Sequence, residues 1–423
     1  MSASDRQFLL PALRSRNYRL FFAGQGVSLI GTWMTQIATV WLVYHLTNSA
    51  LMLGVVGFTS QIPSFLLTPF GGVFVDRADP RRILIGTQIL AMVQSLTLAA
   101  LALSGVIQIW HLLALSLFQG IVNAIDAPAR QVFAIELVEN REDLPNAIAI
   151  NSTMFNSARL IGPAIGGLLI AKVGAGYCFL IDGISYIAVI IALLAMKFQP
   201  KKLPVNNTNP LTEIKAGFDY AFGSPPIRAI LLMAAIVSLM GMQYVSLVPI
   251  FAEQILQGDA QTLGFLMAAS GIGALFGSIY LITKKTVIGL GKLIIIGPAI
   301  LGMGLIIFSL SRFLPLSLLA MLAIGLGTIL QVAVGNTVLQ TIVDDDKRGR
   351  VMSLYTMSFL GIIPFGSLLG GTLAEHIGAT DTLIIAGIAC ILGSLFFSRQ
   401  LPALKEIVYE IYIQKGIIKS IGV

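Results

Sequence analysis

The sequence predicts an all-α membrane protein with twelve transmembrane helices in two six-helix bundles. Of its 423 residues, 56% are hydrophobic and only 11% are charged, a balance too apolar for a soluble protein of this size. Continuous apolar runs such as Ile83 to Leu103 lack the two-residue alternation of membrane barrel strands, which leaves helices as the spanning structure. A long polar segment, Gln199 to Arg228, divides the apolar runs six and six.

The polar breaks between apolar runs predict where each helix begins. The predicted starts are Tyr18, Leu51, Arg82, Gln108, Asn146, Gly176, Ile227, Ala260, Gly291, Leu314, Val351 and Thr380. An even number of spans puts both termini on one side, and nearly all of the 27 Lys and Arg residues then lie on that side. We therefore expect a multi-pass protein of the plasma (cytoplasmic) membrane with both termini in the cytoplasm.

The same breaks predict four regions: an N-terminal six-helix bundle (1–198), a cytoplasmic linker (199–226), a C-terminal six-helix bundle (227–398) and a cytoplasmic tail (399–423). Apolar residues at helical intervals from Leu211 to Phe222 predict a helix on the inner membrane surface, with a flexible linker as the alternative. Glycines of the fifth span recur in the eleventh at an offset of 204 residues, which favours two homologous halves.

A charge cluster separates the second and third apolar runs. Asp76 abuts the end of one run, and Arg77, Arg81 and Arg82 lead into the next. The positive-inside rule explains the arginines but not the acid. A carboxylate in this position could instead meet the positive end of another helix and act as a conformational latch.

Charges within spans need a physical reason, because each costs at least about 2.5 kcal/mol at mid-span. Asp126 in the fourth span could take up and release a proton while Arg159 of the fifth span approaches and leaves. The alternatives are a permanent ion pair and a position near the cytoplasmic end beside Arg130. Asp182 in the sixth span is interpreted as structural.

Small residues in the fifth span predict close helix packing. Gly162 and Gly166 lie one turn apart with Gly167 beside them, and Pro163 removes a backbone hydrogen bond and bends the helix. Small residues of this kind occur in many membrane proteins, so packing without any role in export is the alternative.

Several of these segments resemble the major facilitator superfamily. Gly72, Asp76, Arg77 and Arg81 match its loop motif between the second and third helices, whereas Asp79 and Pro80 replace a glycine and a basic residue. The chain is most similar to the drug-antiporter and enterobactin-exporter-like branch, also called transmembrane secretion effectors. The segments that carry this likeness are 13–22, 126–131, 146–152 and 156–167.

The resemblance implies the major facilitator fold, with Asp76 docked near Arg350 to Ser353 at the start of the eleventh helix. It also implies that the first, fourth, seventh and tenth helices line a central cavity. Their polar and aromatic candidates for substrate contact are Gln25, Trp33, Gln36, Asn123, Gln243, Tyr244, Gln331 and Asn336. Bonds between neighbouring helices are the alternative role for these amides.

We therefore expect a secondary active transporter that exports a small amphipathic compound (a drug, siderophore or metabolite) in exchange for protons. An importer or facilitator of the same fold is the alternative, and a membrane enzyme or sensor is a more distant one, since no zincin helix, nucleophile elbow or phosphate loop is present. The expected partners are the substrate, protons and the lipid bilayer. We expect a monomer, no cofactor, no metal and no nucleic-acid binding.

Overall fold

The computed structural model describes residues 11–138, 143–196, 210–284, 286–344 and 347–415, and all regular structure within these ranges is helical. Twelve segments of this described part are long and apolar enough to cross a membrane. Each begins within three residues of its predicted start. The predicted fold class and number of spans are therefore confirmed.

The first six spans are single helices. They are α1 (Arg16–Thr47), α2 (Ala50–Arg77), α3 (Pro80–Leu103), α4 (Ile109–Glu136), α5 (Leu144–Val173) and α6 (Ala175–Ala195). The helix α7 (Pro210–Gly223) follows and covers the segment for which a surface helix was predicted.

Two of the remaining six spans are interrupted helices. The seventh comprises α8 (Pro225–Ile236) and α9 (Tyr244–Ile250), each followed by a π-helical turn. The eleventh comprises α13 (Arg348–Phe359) and α14 (Ile363–Ile377). The others are α10 (Ala260–Ile282), α11 (Leu290–Leu310), α12 (Leu314–Ile342) and α15 (Ala379–Gln414).

The last helix is longer than a membrane span requires. The helix α15 continues without a break to Gln414, into the segment from residue 399 that was predicted to be a cytoplasmic tail. Lys415 Nζ then donates a hydrogen bond of 2.6 Å to the carbonyl of Val343 at the end of α12. The rest of the predicted tail, 416–423, lies outside the described residues.

The chain forms two compact units. Unit 1 consists of Met1–Asn48, Thr59–Val205 and Gln257–Ala268, and unit 2 of Ser49–Phe58, Asn206–Leu256 and Ala269–Val423. The predicted boundaries at 198, 226 and 398 stay predictions, since residues 197–209 lie outside the described part of the chain.

Both units use the same helix pairings. In unit 1, α6 packs along α1 and α3, while α5 packs on α1 and α4 on α3. In unit 2, α15 packs along α8 and α11, while α13 packs on α8 and α12 on α11. Counted within each half of the chain, the first span pairs with the sixth and fifth, and the third with the sixth and fourth. This common pattern agrees with the glycine repeat in the sequence.

Candidate functional site

A buried carboxylate in α4 is the centre of the candidate site. Asp126 is 3% exposed, and its Oδ1 accepts hydrogen bonds from Thr87 Oγ1 at 2.8 Å and Gln88 Nε2 at 2.9 Å. Arg130 Nη2 donates to the other carboxylate oxygen, one helical turn further along α4. Both oxygens of the acid are therefore bound by donors from α3 and α4.

The described ion pairs place Arg130, and not Arg159, on Asp126. Arg159 instead has its guanidinium 5.8 Å from the ring centroid of Trp33. Trp33 in turn makes an edge contact with Phe155 at 5.8 Å. Asp126 therefore forms an ion pair within α4 with Arg130, whose side chain is 32% exposed.

Asp126 lies at the wall of a polar cavity inside unit 1. The polar residues of the wall are Gln25, Ser28, Thr32, Gln88, Gln119, Asn123, Asp126, Arg130 and Tyr186. The cavity offers about 50 Å³ to the centres of water-sized molecules, and one water needs roughly 10–15 Å³ by that measure. The space therefore suits a few waters or the polar end of a ligand.

Three glutamines at this cavity have buried atoms without a hydrogen-bond partner. They are Gln25 Nε2, Gln88 Oε1 and Gln119 Oε1. An unpartnered buried polar group costs about 1–3 kcal/mol. Waters or a ligand group in the cavity can supply the missing partners.

Unit 2 has a second set of buried amides among the predicted substrate contacts. Gln243 is 1% exposed and Gln331 is fully buried, and neither has a partner for its side-chain oxygen or nitrogen. Tyr244 Oη lies 3.1 Å from Ser270 Oγ, and Asn336 Oδ1 accepts from Gln340 Nε2 at 2.5 Å. Of the other candidates, Asn123 accepts from Gln119 at 3.1 Å and is exposed, as is Gln36.

Two residues in the charged turn between α2 and α3 have a local structural role. Asp79 caps α3 by accepting from the backbone N–H of Arg81 at 2.9 Å, and Pro80 is the first helical residue. These two departures from the family pattern are therefore helix-start signals. The side chain of Arg82 is 88% exposed and lies 3.6 Å from Asp79.

Arg81 binds the end of another helix. Its Nε and Nη2 donate to the carbonyls of Leu193 at 2.8 Å and Leu194 at 3.0 Å, in the last turn of α6. A cation is favourable there, because it meets the free carbonyls of the helix C-terminus. The side chains of Asp76 and Arg77 lie outside what the structure describes, and a Cβ on Gly72 would meet no atom within 4 Å.

The glycines of α5 lie against two different helices. A Cβ on Gly162 would be 2.5 Å from Trp33 Cβ, and one on Gly166 would be 3.3 Å from Met34 Cα, both in α1. A Cβ on Gly167 would be 2.8 Å from the Cα of Gly264 in α10. Pro163 lies within the helix between them.

Unit 2 repeats this glycine contact between α14 and α2. A Cβ on Gly371 would be 2.7 Å from the Cα of Gly54. Beside it, Glu375 Oε2 accepts from Ser49 Oγ and from the backbone N–H of Leu51, each at 3.0 Å. The first turn of α2 is therefore capped by a carboxylate from a distant part of the chain.

Sequence reasoning missed Thr87, Gln88 and Glu375. Adjacent polar residues within the apolar third span were the available signal for Thr87 and Gln88. For Glu375 there was none, because its partner Leu51 lies 324 residues away.

The model of the family described as transmembrane secretion effector matches residues 9–410. The chain belongs to this family. As a transmembrane secretion effector, the protein is a transporter of the major facilitator type and not an enzyme. The match confirms the predicted resemblance.

Relatives of this transmembrane secretion effector include exporters. The chain is 26% identical to the staphyloferrin A transporter of Staphylococcus aureus, over 90% of this chain and 95% of the relative. It is 23% identical to macrolide efflux protein A of Streptococcus pyogenes, over 89% and 95%. It is also 23% identical to the enterobactin exporter EntS of Escherichia coli, over 89% of each.

Solved structures share the fold of this transmembrane secretion effector. An inward-facing, occupied bacterial homolog of the human lysosomal transporter Spinster aligns with a TM-score of 0.71 and 14% identity, over 95% of this chain and 98% of that one. A POT family transporter in complex with 5-aminolevulinic acid aligns with a TM-score of 0.73 and 13% identity, over 92% and 97%.

Proposed function

We propose that the protein exports a small amphipathic organic compound (a drug, siderophore or metabolite) across the cytoplasmic membrane in exchange for protons, by alternating access. The observation that carries this proposal is Asp126, a carboxylate buried in a transmembrane helix at the wall of a polar cavity. Acids inside spans are costly and mark ion or substrate pathways.

The ion pair between Asp126 and Arg130 breaks when Asp126 binds a proton and forms again when the proton leaves. When Asp126 is charged, its Oδ2 is paired with Arg130. When Asp126 takes up a proton the attraction is lost, and the partly exposed Arg130 is released to move. Thr87 and Gln88 bind the other oxygen and hold the acid in place in both states. Arg159 provides a further charge in this unit that can respond to the change.

The substrate contacts in this proposal are the residues predicted from the sequence. They are Gln25, Trp33, Gln36, Asn123, Gln243, Tyr244, Gln331 and Asn336. The unpartnered atoms of Gln25, Gln243 and Gln331 support it, because a bound molecule can supply the hydrogen bonds that these amides lack.

A cytoplasmic latch completes the cycle. In this proposal Gly72, Asp76, Arg77, Arg81 and Arg82 form the latch, and Asp76 docks at the start of α13 in the outward-open state. The bond from Arg81 to the end of α6 supports part of it, because Arg81 anchors the start of α3 and lies four residues after the helix that carries Asp76. Both termini are cytoplasmic and the working unit is a monomer.

Export is favoured over import because the relatives include a macrolide efflux protein and an enterobactin exporter. We test this direction with the accumulation of ethidium, erythromycin and enterobactin in cells with and without the protein. Wild-type protein should lower accumulation of a substrate, and collapse of the proton gradient should restore it.

The test uses a matched pair of variants. Asp126→Asn should abolish export, whereas Asp381→Asn, which changes an exposed acid in the first turn of α15, should export normally. Higher accumulation in cells with the protein would indicate import. Export that persists without the gradient, or in Asp126→Asn, would contradict proton coupling through this acid.

A further inference from the structure

Unit 1 contains a second buried acid, Asp182 of α6, which is 2% exposed. Its Oδ2 accepts hydrogen bonds from Thr35 Oγ1 of α1 and Ser95 Oγ of α3, each at 3.0 Å. Its Oδ1 is buried and has no hydrogen-bond partner. The acid is therefore held firmly through one oxygen while the other is left open.

The groups that face Asp182 are hydroxyls rather than cations. The hydroxyls are those of Thr32 and Thr35 from α1, Ser95 from α3, and Ser185 and Tyr186 from α6 itself, and the thiol of Cys178 lies nearby. From α5, the carbonyl of Gly166 accepts from Cys178. In the described part of the chain no Lys, Arg or His pairs with this carboxylate. The charged groups within electrostatic reach of its neighbour Tyr186 are Asp126 and Arg130.

A carboxylate without a cation is unfavourable in a low-dielectric interior, and uptake of a proton removes the charge. The local geometry has room for that hydrogen. Oδ1 of Asp182 and Oγ of Ser185 lie 2.7 and 3.0 Å from the point that a Cβ on Gly31 would occupy. Because Gly31 leaves this point empty, a hydrogen on Oδ1 has space and a hydroxyl oxygen nearby.

Two hydroxyl residues connect Asp182 to the cavity at Asp126. Thr32 and Tyr186 both line that cavity, and Thr32 is exposed. The Thr32 hydroxyl donates a hydrogen bond of 3.0 Å to the carbonyl of Ser28 and lies close to Asp182 and Tyr186. Tyr186 is within electrostatic reach of Asp182, Asp126 and Arg130. The two acids therefore flank one set of hydroxyls.

We propose that Asp182 is a second proton-binding site, reached from the Asp126 cavity through the hydroxyls of Thr32 and Tyr186. In this step the Thr32 hydroxyl turns away from the Ser28 carbonyl, its hydrogen moves to Asp182 Oδ1, and a hydrated proton from the cavity replaces it on Thr32 Oγ1. The cavity loses one proton and the carboxylate becomes a neutral acid, so only O–H bonds change. This inference rests on the proposed proton-coupled function and adds a second acid to it.

The test is infrared difference spectroscopy of the purified full chain in lipid, titrated with acid. A protonated carboxyl group has its own C=O stretching band. We expect a titrating band that Asp182→Asn removes and Asp126→Asn leaves in place. A wild-type spectrum unchanged by Asp182→Asn would overturn the proposal.

Two further comparisons separate proton binding from a structural role. Ser95→Ala keeps the carboxyl group of Asp182 but removes one of its hydrogen bonds, so it should shift the frequency of the same band. This variant tests the assignment even if Asp182→Asn does not fold. Thr32→Val should slow the exchange of the carboxyl hydrogen in heavy water severalfold, whereas Thr32→Ser should not. A band that none of these variants affects would exclude Asp182 as its source.

These outcomes are distinct from failure of the proposed function. If export proves independent of the proton gradient while the band behaves as expected, proton-coupled export fails and the proton site at Asp182 stands. If export depends on the gradient and on Asp126 but the band does not depend on Asp182, only the second site fails.

Discussion

Glu375 Oε2 accepts a hydrogen bond of 3.0 Å from the backbone N–H of Leu51, so the last turn of α14 caps the first turn of α2. An acid near the C-terminus of its own helix is unfavourable, but the N-terminus of α2 offsets this cost. The proposed latch is the reciprocal contact, with Asp76 in the last turn of α2 and its dock at the start of α13.

Glu375→Gln should release the start of α2. Loss of the charge removes about 0.5 kcal/mol of helix-end stabilisation at an exposed site, equivalent to about a twofold shift in a two-state equilibrium. We expect a cysteine introduced at Leu51 to react about twofold faster with a maleimide. The native cysteines, Cys178 and Cys390, are buried and add little background.

Asp381→Asn is the control for that experiment, because this exposed acid lies in the first turn of α15 and not on α2. Labelling at Leu51 should not change in the control. Equal labelling in wild type and Glu375→Gln would show that the contact does not bias the position of α2.

Asp126 and Arg130 should be energetically coupled. Each single change, Asp126→Asn or Arg130→Gln, leaves a partner without its counter-charge, whereas the double change removes both charges. In thermal or denaturant unfolding, the double variant should be less destabilised than the sum of the two singles, by about 1–3 kcal/mol. Strict additivity would show that the pair is not formed in the membrane.

Gly162→Ala should be more harmful than Gly166→Ala. The new Cβ would be 2.5 Å from Trp33 Cβ at position 162 but 3.3 Å from Met34 Cα at position 166. Overpacking of this kind costs about 1–3 kcal/mol, and we expect a lower melting temperature for Gly162→Ala. Gly86→Ala, with nothing within 4 Å in α3, is the control and should be neutral or stabilising. Equal melting temperatures for Gly162→Ala and Gly86→Ala would contradict the close approach of α1 and α5.

Arg81 and Arg82 should differ although they are neighbours. Arg81→Ala removes two hydrogen bonds to the end of α6 and should cost roughly 1–3 kcal/mol of stability, since bonds from charged groups are the stronger ones. Arg82→Ala should be nearly neutral, because its side chain is 88% exposed. Unfolding of the two purified variants compares them directly, and equal effects would argue against the role assigned to Arg81.

The number and positions of the membrane spans could be predicted from the sequence, because lipid requires continuous apolar helices and the polar breaks mark their ends. The two homologous halves could also be predicted from the sequence. The repeated glycines Gly167 and Gly371 each lie against a glycine of a neighbouring helix. The start of α3 could have been predicted from the sequence, since Asp79 and Pro80 are residues that commonly begin a helix.

The partners of buried charges could not be read from the sequence. Asp126 had two candidate cations, and spacing alone does not decide between Arg130 on the same helix and Arg159 on the next. The hydroxyls around Asp182 come from three helices, whose rotation about their axes depends on the whole packing of unit 1. For the same reason Asp182 was interpreted as a structural acid without an obvious partner.

The most direct test of proton-coupled export is proton movement in liposomes that contain the purified protein and a trapped pH indicator. The probe is whichever of ethidium, erythromycin or enterobactin shows export in cells. When a gradient of that probe is imposed, wild-type protein should move protons in the opposite direction, Asp381→Asn should do the same, and Asp126→Asn should move none. Probe transport without proton movement, or proton movement in Asp126→Asn equal to wild type, would contradict the account.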